Sequence, residues 1–284
     1  MSNIKKQPIR FILLFYLVCF VFRAVEYLVI RTDQSVIGEA FIHKLIGIAL
    51  LAVALWLIKY KWSDIGLKAK SAIKGICFGL LFGLAVYAAA YGTEMLLQTS
   101  AGNMPALRFY VASYSTTGDS VIQSGIQFVL ICVAGNIINV IMEEGIFRGL
   151  FIRLAEERYS FLKACIFSAV LFGVWHIAQP VRNVLDGVQS PGGAFMLGLM
   201  LVGTSALGGI QYALLYRLTG ALWFGMAAHF VNNAIINLLH VATVSGADEM
   251  QSVRITIAQT LSFVVVLIVF TVKARKKALP GKTI

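Results

Sequence analysis

The chain has 284 residues, of which 59% are hydrophobic and 13% charged, and its formal net charge is +11. Soluble domains carry about 25% charged and about 45–50% apolar residues, so this composition excludes an ordinary soluble domain and indicates a polytopic membrane protein. The positive charge would suit nucleic acid, but the basic residues cluster in short segments between apolar runs, so no nucleic-acid partner is expected.

Eight apolar segments can each cross a hydrocarbon core of roughly 30 Å. The expected fold is all-α: a polytopic membrane helix bundle of about eight transmembrane helices, forming a single integral membrane domain over residues 1–284. The first helix runs from about Ile9 to Ile30, behind Lys5, Lys6 and Arg10. No small-x-small cleavage site follows it, so it reads as a retained span and not as a signal peptide. Arg23 and Glu26, three apart, either pair with each other or lie at the interface. The second helix runs from about Ala40 to Tyr60, and Lys61 to Lys70 is a polar connection. The third, about Ala72 to Leu97, carries Gly75, Gly79 and Gly83, a spacing that lets another helix approach closely.

Thr99 to Ser120 reads as an external loop with room for a short interfacial helix. The fourth helix, about Val121 to Glu157, is too long for one straight span and is expected to protrude or to break near Gly145 or Gly149. The fifth runs from about Phe161 to Ala178 and is stopped by Gln179-Pro180, with an outer loop from Val181 to Gln189. The sixth (about Gly193 to Tyr216), seventh (about Ala221 to Val241) and eighth (about Ile255 to Val272) complete the bundle. The basic C-terminal tail is expected against anionic lipid headgroups.

Orientation follows from Lys and Arg. With the N-terminus inside, the inner segments hold Lys5, Lys6, Arg10, Lys59, Lys61, Lys68, Lys70, Lys74, Arg153, Arg158, Lys163, Arg217 and the basic residues after Val272. The outer loops hold Arg31, Arg108, Arg182 and Arg254. The expected topology is N-in and C-in. Cys19, Cys77, Cys132 and Cys165 all lie in apolar runs without CxxC spacing, and read as packing residues.

Charge at membrane depth is costly and tends to be functional or paired. Met142-Glu143-Glu144-Gly145-Ile146-Phe147-Arg148 lies inside a long apolar run. Glu144 and Arg148 are four apart and meet on one helix face, in the favourable order. Glu143 is left without an obvious local partner, although Asn136 and Asn139 extend a polar stripe from it along the helix. Phe172 and His176 form a second pair on one face, and His229 and Asn233 a third, which Asn237 extends. Counted from the basic turns at about 1.5 Å per residue, Glu143, His176 and His229 reach similar heights, roughly 20 Å in. Each alone could be structural: an ion-paired helix end, a core histidine, interhelical hydrogen bonding. Together at matched depth they point to one buried hydrolytic site. His43 and His240 sit near helix ends and receive no role.

Glu143-Glu144-x-x-x-Arg148, Phe172-x-x-x-His176 and His229-x-x-x-Asn233 resemble the successive motifs of the CPBP family. These are the CAAX-prenyl-protease and bacteriocin-processing (Abi) intramembrane endopeptidases. The resemblance covers about residues 118–239 and is complete at the motif positions. It implies a helical membrane fold that hydrolyses a peptide bond in a cavity open to the cytoplasm or the lipid. The implied substrate is a membrane-associated peptide or lipidated protein, prenylated in eukaryotic relatives. The compact chain suggests a bacterial plasma membrane, with the site nearer the cytoplasmic side.

Amide hydrolysis needs an activated water and an oxyanion site. Glu143 suits the base, since a poorly hydrated carboxylate has raised proton affinity. His176 would hold the water, His229 and Asn233 would donate to the oxyanion, and Glu144 and Arg148 would form a structural pair. Alternatively Glu143, His176 and His229 could ligate Zn2+, leaving a fourth position for water, with Glu144 as base. The sequence leaves the choice open and contains no HExxH motif. Two non-enzymatic readings also remain: a scaffold or bacteriocin-immunity protein on the same fold, and a proton-coupled transporter.

Overall fold

The computed structural model describes residues 3–35, 39–112 and 122–278. Part of the expected external loop, 113–120, the expected start of the fourth helix at Val121, and the end of the C-terminal tail, 279–284, lie outside the described residues. The chain is almost entirely helical: α1 (Pro8–Val25), α2 (Ile42–Ile58), α3 (Ala72–Ser100), α4 (Ile126–Glu143), α5 (Phe161–Val174), α6 (Ala178–Leu185), α7 (Pro191–Thr219), α8 (Trp223–Leu238) and α9 (Gln251–Ala278). Among the described residues six helical stretches are long and apolar enough to cross a membrane: Pro8–Gln34, Ala69–Ser100, Ile126–Ala155, Phe161–Leu185, Pro191–Thr219 and Gln251–Lys276. Two expected spans come out shorter: α2 has 17 residues and α8 has 16.

The outside of the bundle is apolar, with Leu14, Trp56, Ile73, Leu81 and Leu96 among many exposed large side chains. That surface suits lipid, whose tails satisfy it, and would be a liability in water. The inside is a cluster built on Ile12, Leu51, Ile58, Met142, Leu150 and Trp175. Phe147 sits at its centre, with its ring 5.1 Å from that of Phe172 and 5.7 Å from that of Trp175.

The glycine stripe of α3 does what its spacing predicts, and its partner is α8. A Cβ on Gly75, Gly79 or Gly83 would meet Trp223, Phe224 and Ala227, or Val231 respectively, all within 2.8 Å. Contacts advance in the same direction along both helices, so α3 and α8 run parallel. This close fit fixes the helix that carries His229 and Asn233.

Four local expectations are corrected. The fourth helix does not break: α4 passes into a π-helical stretch, Glu144–Phe151, and returns to α over Ile152–Ala155. Gly145 and Gly149 lie in the wide turn and admit close neighbours: an added Cβ would lie 2.8 Å from Leu51 and 3.0 Å from the Ile65 carbonyl. Gln179-Pro180 does not end the fifth helix. A 3-10 turn at Trp175–Ile177 ends α5, and Pro180 falls in the first turn of α6, where its missing N–H costs nothing. No interfacial helix forms in the described part of the Thr99–Ser120 connection; Ala106–Phe109 (β1) pairs antiparallel with Leu239–Ala242 (β2). The seventh helix therefore stops at Leu238 instead of reaching Val241, because the chain leaves it as β2.

Contacts among the loops fall at two ends of the bundle. At one end Tyr60 bonds Glu157, Lys5 lies over the Tyr60 ring and Arg217 pairs with Glu156. At the other, Arg31 pairs with Asp186 at 2.6 Å and Arg182 with Asp33 at 2.7 Å.

Candidate active site

Glu143 and Glu144 are adjacent, and on a regular α-helix neighbours point about 100° apart. The π-helical turn starting at Glu144 reduces that rotation. Both carboxylates reach the same imidazole: Glu144 Oε1 lies 2.9 Å from His229 Nδ1, and Glu143 Oε2 lies 3.7 Å from His229 Nε2. A carboxylate only accepts, so Nδ1 of His229 carries a proton and donates it to Glu144. The imidazole is held flat against Tyr212, with ring centroids 4.7 Å apart and planes at 17°.

Glu144 also faces Arg148, as its spacing predicts, with Nε 3.4 Å from Oε2. The guanidinium is 1% exposed and stands over the Phe172 ring at 3.8 Å, a cation–π contact that helps hold a charge this deep. Phe172 thus serves three neighbours. Its face takes Arg148, its edge meets His229, and its carbonyl accepts from His176 Nδ1 at 2.9 Å. That bond leaves His176 Nε2 with the lone pair.

Glu143 is 3% exposed and is not without partners. Asn139, one turn before it, donates to Oε2 at 3.2 Å, and the Trp175 indole N–H donates to Oε1 at 3.2 Å. The Asn139 bond follows the polar stripe seen in the sequence. Asn136 does not join it: its amide returns to the Cys132 carbonyl of its own helix.

Beside these groups is a cavity of about 460 Å³ between α3, α5, α7, α8 and α9. His176, His229 and Asn233 all line it, while Asn237 is not among its lining residues. Asn232, which the sequence did not single out, lines it too. Its Oδ1 accepts from the Tyr87 hydroxyl at 2.9 Å and its amide donates to Asn233 Oδ1 at 3.0 Å. With the Asn233 oxygen so engaged, its NH2 is the end left to donate. None of the lining residues is Asp, Glu, Lys or Arg; the α7 and α9 wall offers hydroxyls and amides such as Thr204, Gln211 and Gln259. Glu143 is one layer behind, touching the lining through His229.

Glu143, His176 and His229 are the alternative zinc ligands. Among the described residues no three His, Cys, Asp or Glu side chains stand together as a metal ion needs. As arranged, these side chains do not fit a metal site, and no step below is derived through one.

Two further buried clusters were not read as such from the sequence. Arg23 and Glu26 do not pair directly but bracket His43, which the sequence left without a role. His240, likewise left aside, bonds Asp248 at 2.5 Å and stacks on Tyr110 at 3.9 Å. Asp248 and Glu94 both hold Arg254. No short motif marks either cluster, because each is assembled from distant segments.

Fold and composition make this an integral membrane protein with ionisable groups packed at its centre. The family model described as Type II CAAX prenyl endopeptidase Rce1-like matches residues 125–235, the segment that carries all three motifs. Over that segment the chain is similar to CAAX prenyl endopeptidases. Comparison with curated proteins and with solved structures found no match.

Proposed function

We propose that the protein is an intramembrane endopeptidase that hydrolyses a peptide bond of a membrane-associated protein or peptide inside the cavity lined by His176, His229 and Asn233. The observation that carries this reading is the arrangement at one wall: a free imidazole lone pair and a free amide N–H beside an internal space, backed by two carboxylates. Water held by His176 Nε2 attacks the carbonyl. Glu143 takes its proton across His229, whose Nε2 lies 3.7 Å away, and the proton returns to the leaving amine as the C–N bond breaks. The Asn233 amide donates to the oxyanion, and the positive charge of His229, once protonated, stabilises it from behind. Glu144 orients His229 by its bond to Nδ1, a role beyond the ion pair with Arg148.

The chemistry is proposed to need no metal. Eight crossings with both termini in the cytoplasm, and the site nearer that side, account for the parallel run of α3 and α8. In that scheme the short helices α2 and α8, about 24–26 Å long, also span a thin part of the bilayer. A bacterial plasma membrane is the proposed location. A cavity wall without charged groups favours a neutral substrate segment. New peptide N-termini in membranes expressing wild type or Glu143→Gln at equal levels test the activity. Termini found only with wild type, and persisting after dialysis against a chelator, support the proposal. Identical sets would move the reading to a scaffold or immunity role.

A further inference from the structure

We propose that Arg23, on α1, is a positioning residue for Glu143 and acts on it through the indole of Trp175; the inference rests on the endopeptidase reading above. A charge on a lipid-facing first helix is expensive unless something at depth uses or pairs it. Arg23 is 5% exposed, Glu26 1%, His43 2% and Trp175 1%. These four side chains form one ordered chain that ends on Glu143.

The chain begins at Glu26. Its Oε1 accepts from the Thr32 hydroxyl and from Ile42 N at 2.9 Å; its Oε2 accepts from His43 N at 2.5 Å and His43 Nδ1 at 2.6 Å. The carboxylate so caps the start of α2 and fixes the His43 tautomer: Nδ1 donates, and Nε2 keeps its lone pair. That lone pair accepts from Arg23 NH1 at 3.2 Å. The guanidinium is thereby laid over two rings, Tyr27 at 4.5 Å and Trp175 at 4.8 Å. Trp175 in turn donates its N–H to Glu143 Oε1 at 3.2 Å.

A cation over the indole face draws π-density from the ring and polarises its N–H, strengthening the bond to the carboxylate. It also holds a positive charge behind the donor in a medium where screening is weak. For mere docking of α1, apolar side chains of similar volume would be no worse than this buried ion chain. What the chain adds is a fixed direction for one oxygen of Glu143. Its other oxygen is set by Asn139.

The test uses the full chain purified in detergent and a peptide made from a cleavage site found in the terminus comparison. Steady-state rates are compared for wild type, Trp175→Phe, Arg23→Met, Arg23→Lys and the double variant. Trp175→Phe keeps the ring and removes the donor; Arg23→Lys keeps the charge. Trp175→Phe and Arg23→Met should each lower kcat about ten- to a hundredfold, as when one hydrogen bond to a charged group is lost, with KM changed less than about twofold. Arg23→Lys should recover most of kcat. The double variant should be no slower than the worse single one, because both changes break one path. If the folded single variants keep wild-type kcat, or if their losses multiply, the proposal is wrong while cleavage abolished by Glu143→Gln leaves the enzyme reading intact. Should Arg23→Met aggregate, Trp175→Phe against Arg23→Lys decides alone. An inert wild type overturns both readings.

Discussion

The contact between α3 and α8 gives the sharpest prediction, because its failure would be felt at the site. A Cβ at Gly79 would lie 2.4 Å from the Phe224 carbonyl oxygen and 2.7 Å from Ala227 Cβ. Tolerable contact begins near 3.4 Å, so the helices must part by about 1 Å. The first obstacle is backbone, so no rotamer change relieves it, and Gly79→Ala should cost about 1–3 kcal/mol of stability. Because α8 carries His229 and Asn233, the same displacement moves the groups proposed to stabilise the oxyanion. A misplacement of about 1 Å costs on the order of a hundredfold in rate. Gly92 provides the control on the same helix: nothing lies within 4 Å of an added Cβ there. Gly92→Ala should be neutral or stabilising by up to about 1 kcal/mol. Thermal unfolding in detergent and kcat on a cleaved peptide measure both. Equal stability and equal kcat for Gly79→Ala and wild type would refute the claim that this packing sets the site.

The two adjacent carboxylates should respond differently to the same change. Glu143→Gln should abolish cleavage and leave the fold intact, whereas Glu144→Gln should lower stability by about 3–5 kcal/mol, because it strands the buried Arg148 charge. Thermal unfolding of the two variants distinguishes them, and matched melting curves would argue against the pairing assigned here. The cap at the far end should confer acid sensitivity. Burial opposes ionisation of Asp248, but hydrogen bonds from His240 and Arg254 outweigh it and hold the carboxyl below its ordinary value. A depressed carboxylate stabilises the fold above its unfolded value of about 3.9, and that contribution is lost as pH falls through the folded one. Between pH 6 and pH 3 the wild type should therefore lose more stability than Asp248→Asn; parallel curves would show that the carboxylate contributes nothing.

Much of the architecture was legible because lipid forces it. Long apolar runs must be helical, since no other segment satisfies its own backbone there. The glycine spacing of α3 named a packing face, and only the partner awaited the fold. The three motifs were legible as spacing on single helices. What lay hidden depended on chain geometry away from the regular α-helix. The π-helical turn after Glu143 has no unambiguous sequence mark, yet it lets two neighbouring carboxylates face one histidine. The 3-10 turn at Trp175 aims an indole N–H at Glu143 from a residue that reads as ordinary apolar filling. Asn232 was passed over for the same reason that Asn233 was chosen: periodicity on a helix ranks one of two adjacent residues, and here both reach the cavity. The clusters around His43 and His240 join residues far apart in the chain, which no local pattern can pair.

The placement of charge around Glu143 suits the base proposed for it, a carboxylate that takes up and releases a proton in a poorly hydrated interior. Desolvation alone would favour its neutral form and leave no base. Three N–H groups counter that: Asn139, Trp175 and, when protonated, His229. The second carboxylate, Glu144, is balanced separately by Arg148, so it orients His229 without adding an uncompensated charge beside Glu143. Each nitrogen of His229 faces a carboxylate, which would give a proton released in the proposed reaction a place to reside. Asn233 needs no such balance, because an amide donates to an oxyanion while remaining neutral. The division follows from cost: the ions are kept behind the wall in mutually compensating pairs, and the wall itself presents only neutral imidazole, amide and hydroxyl groups to the substrate.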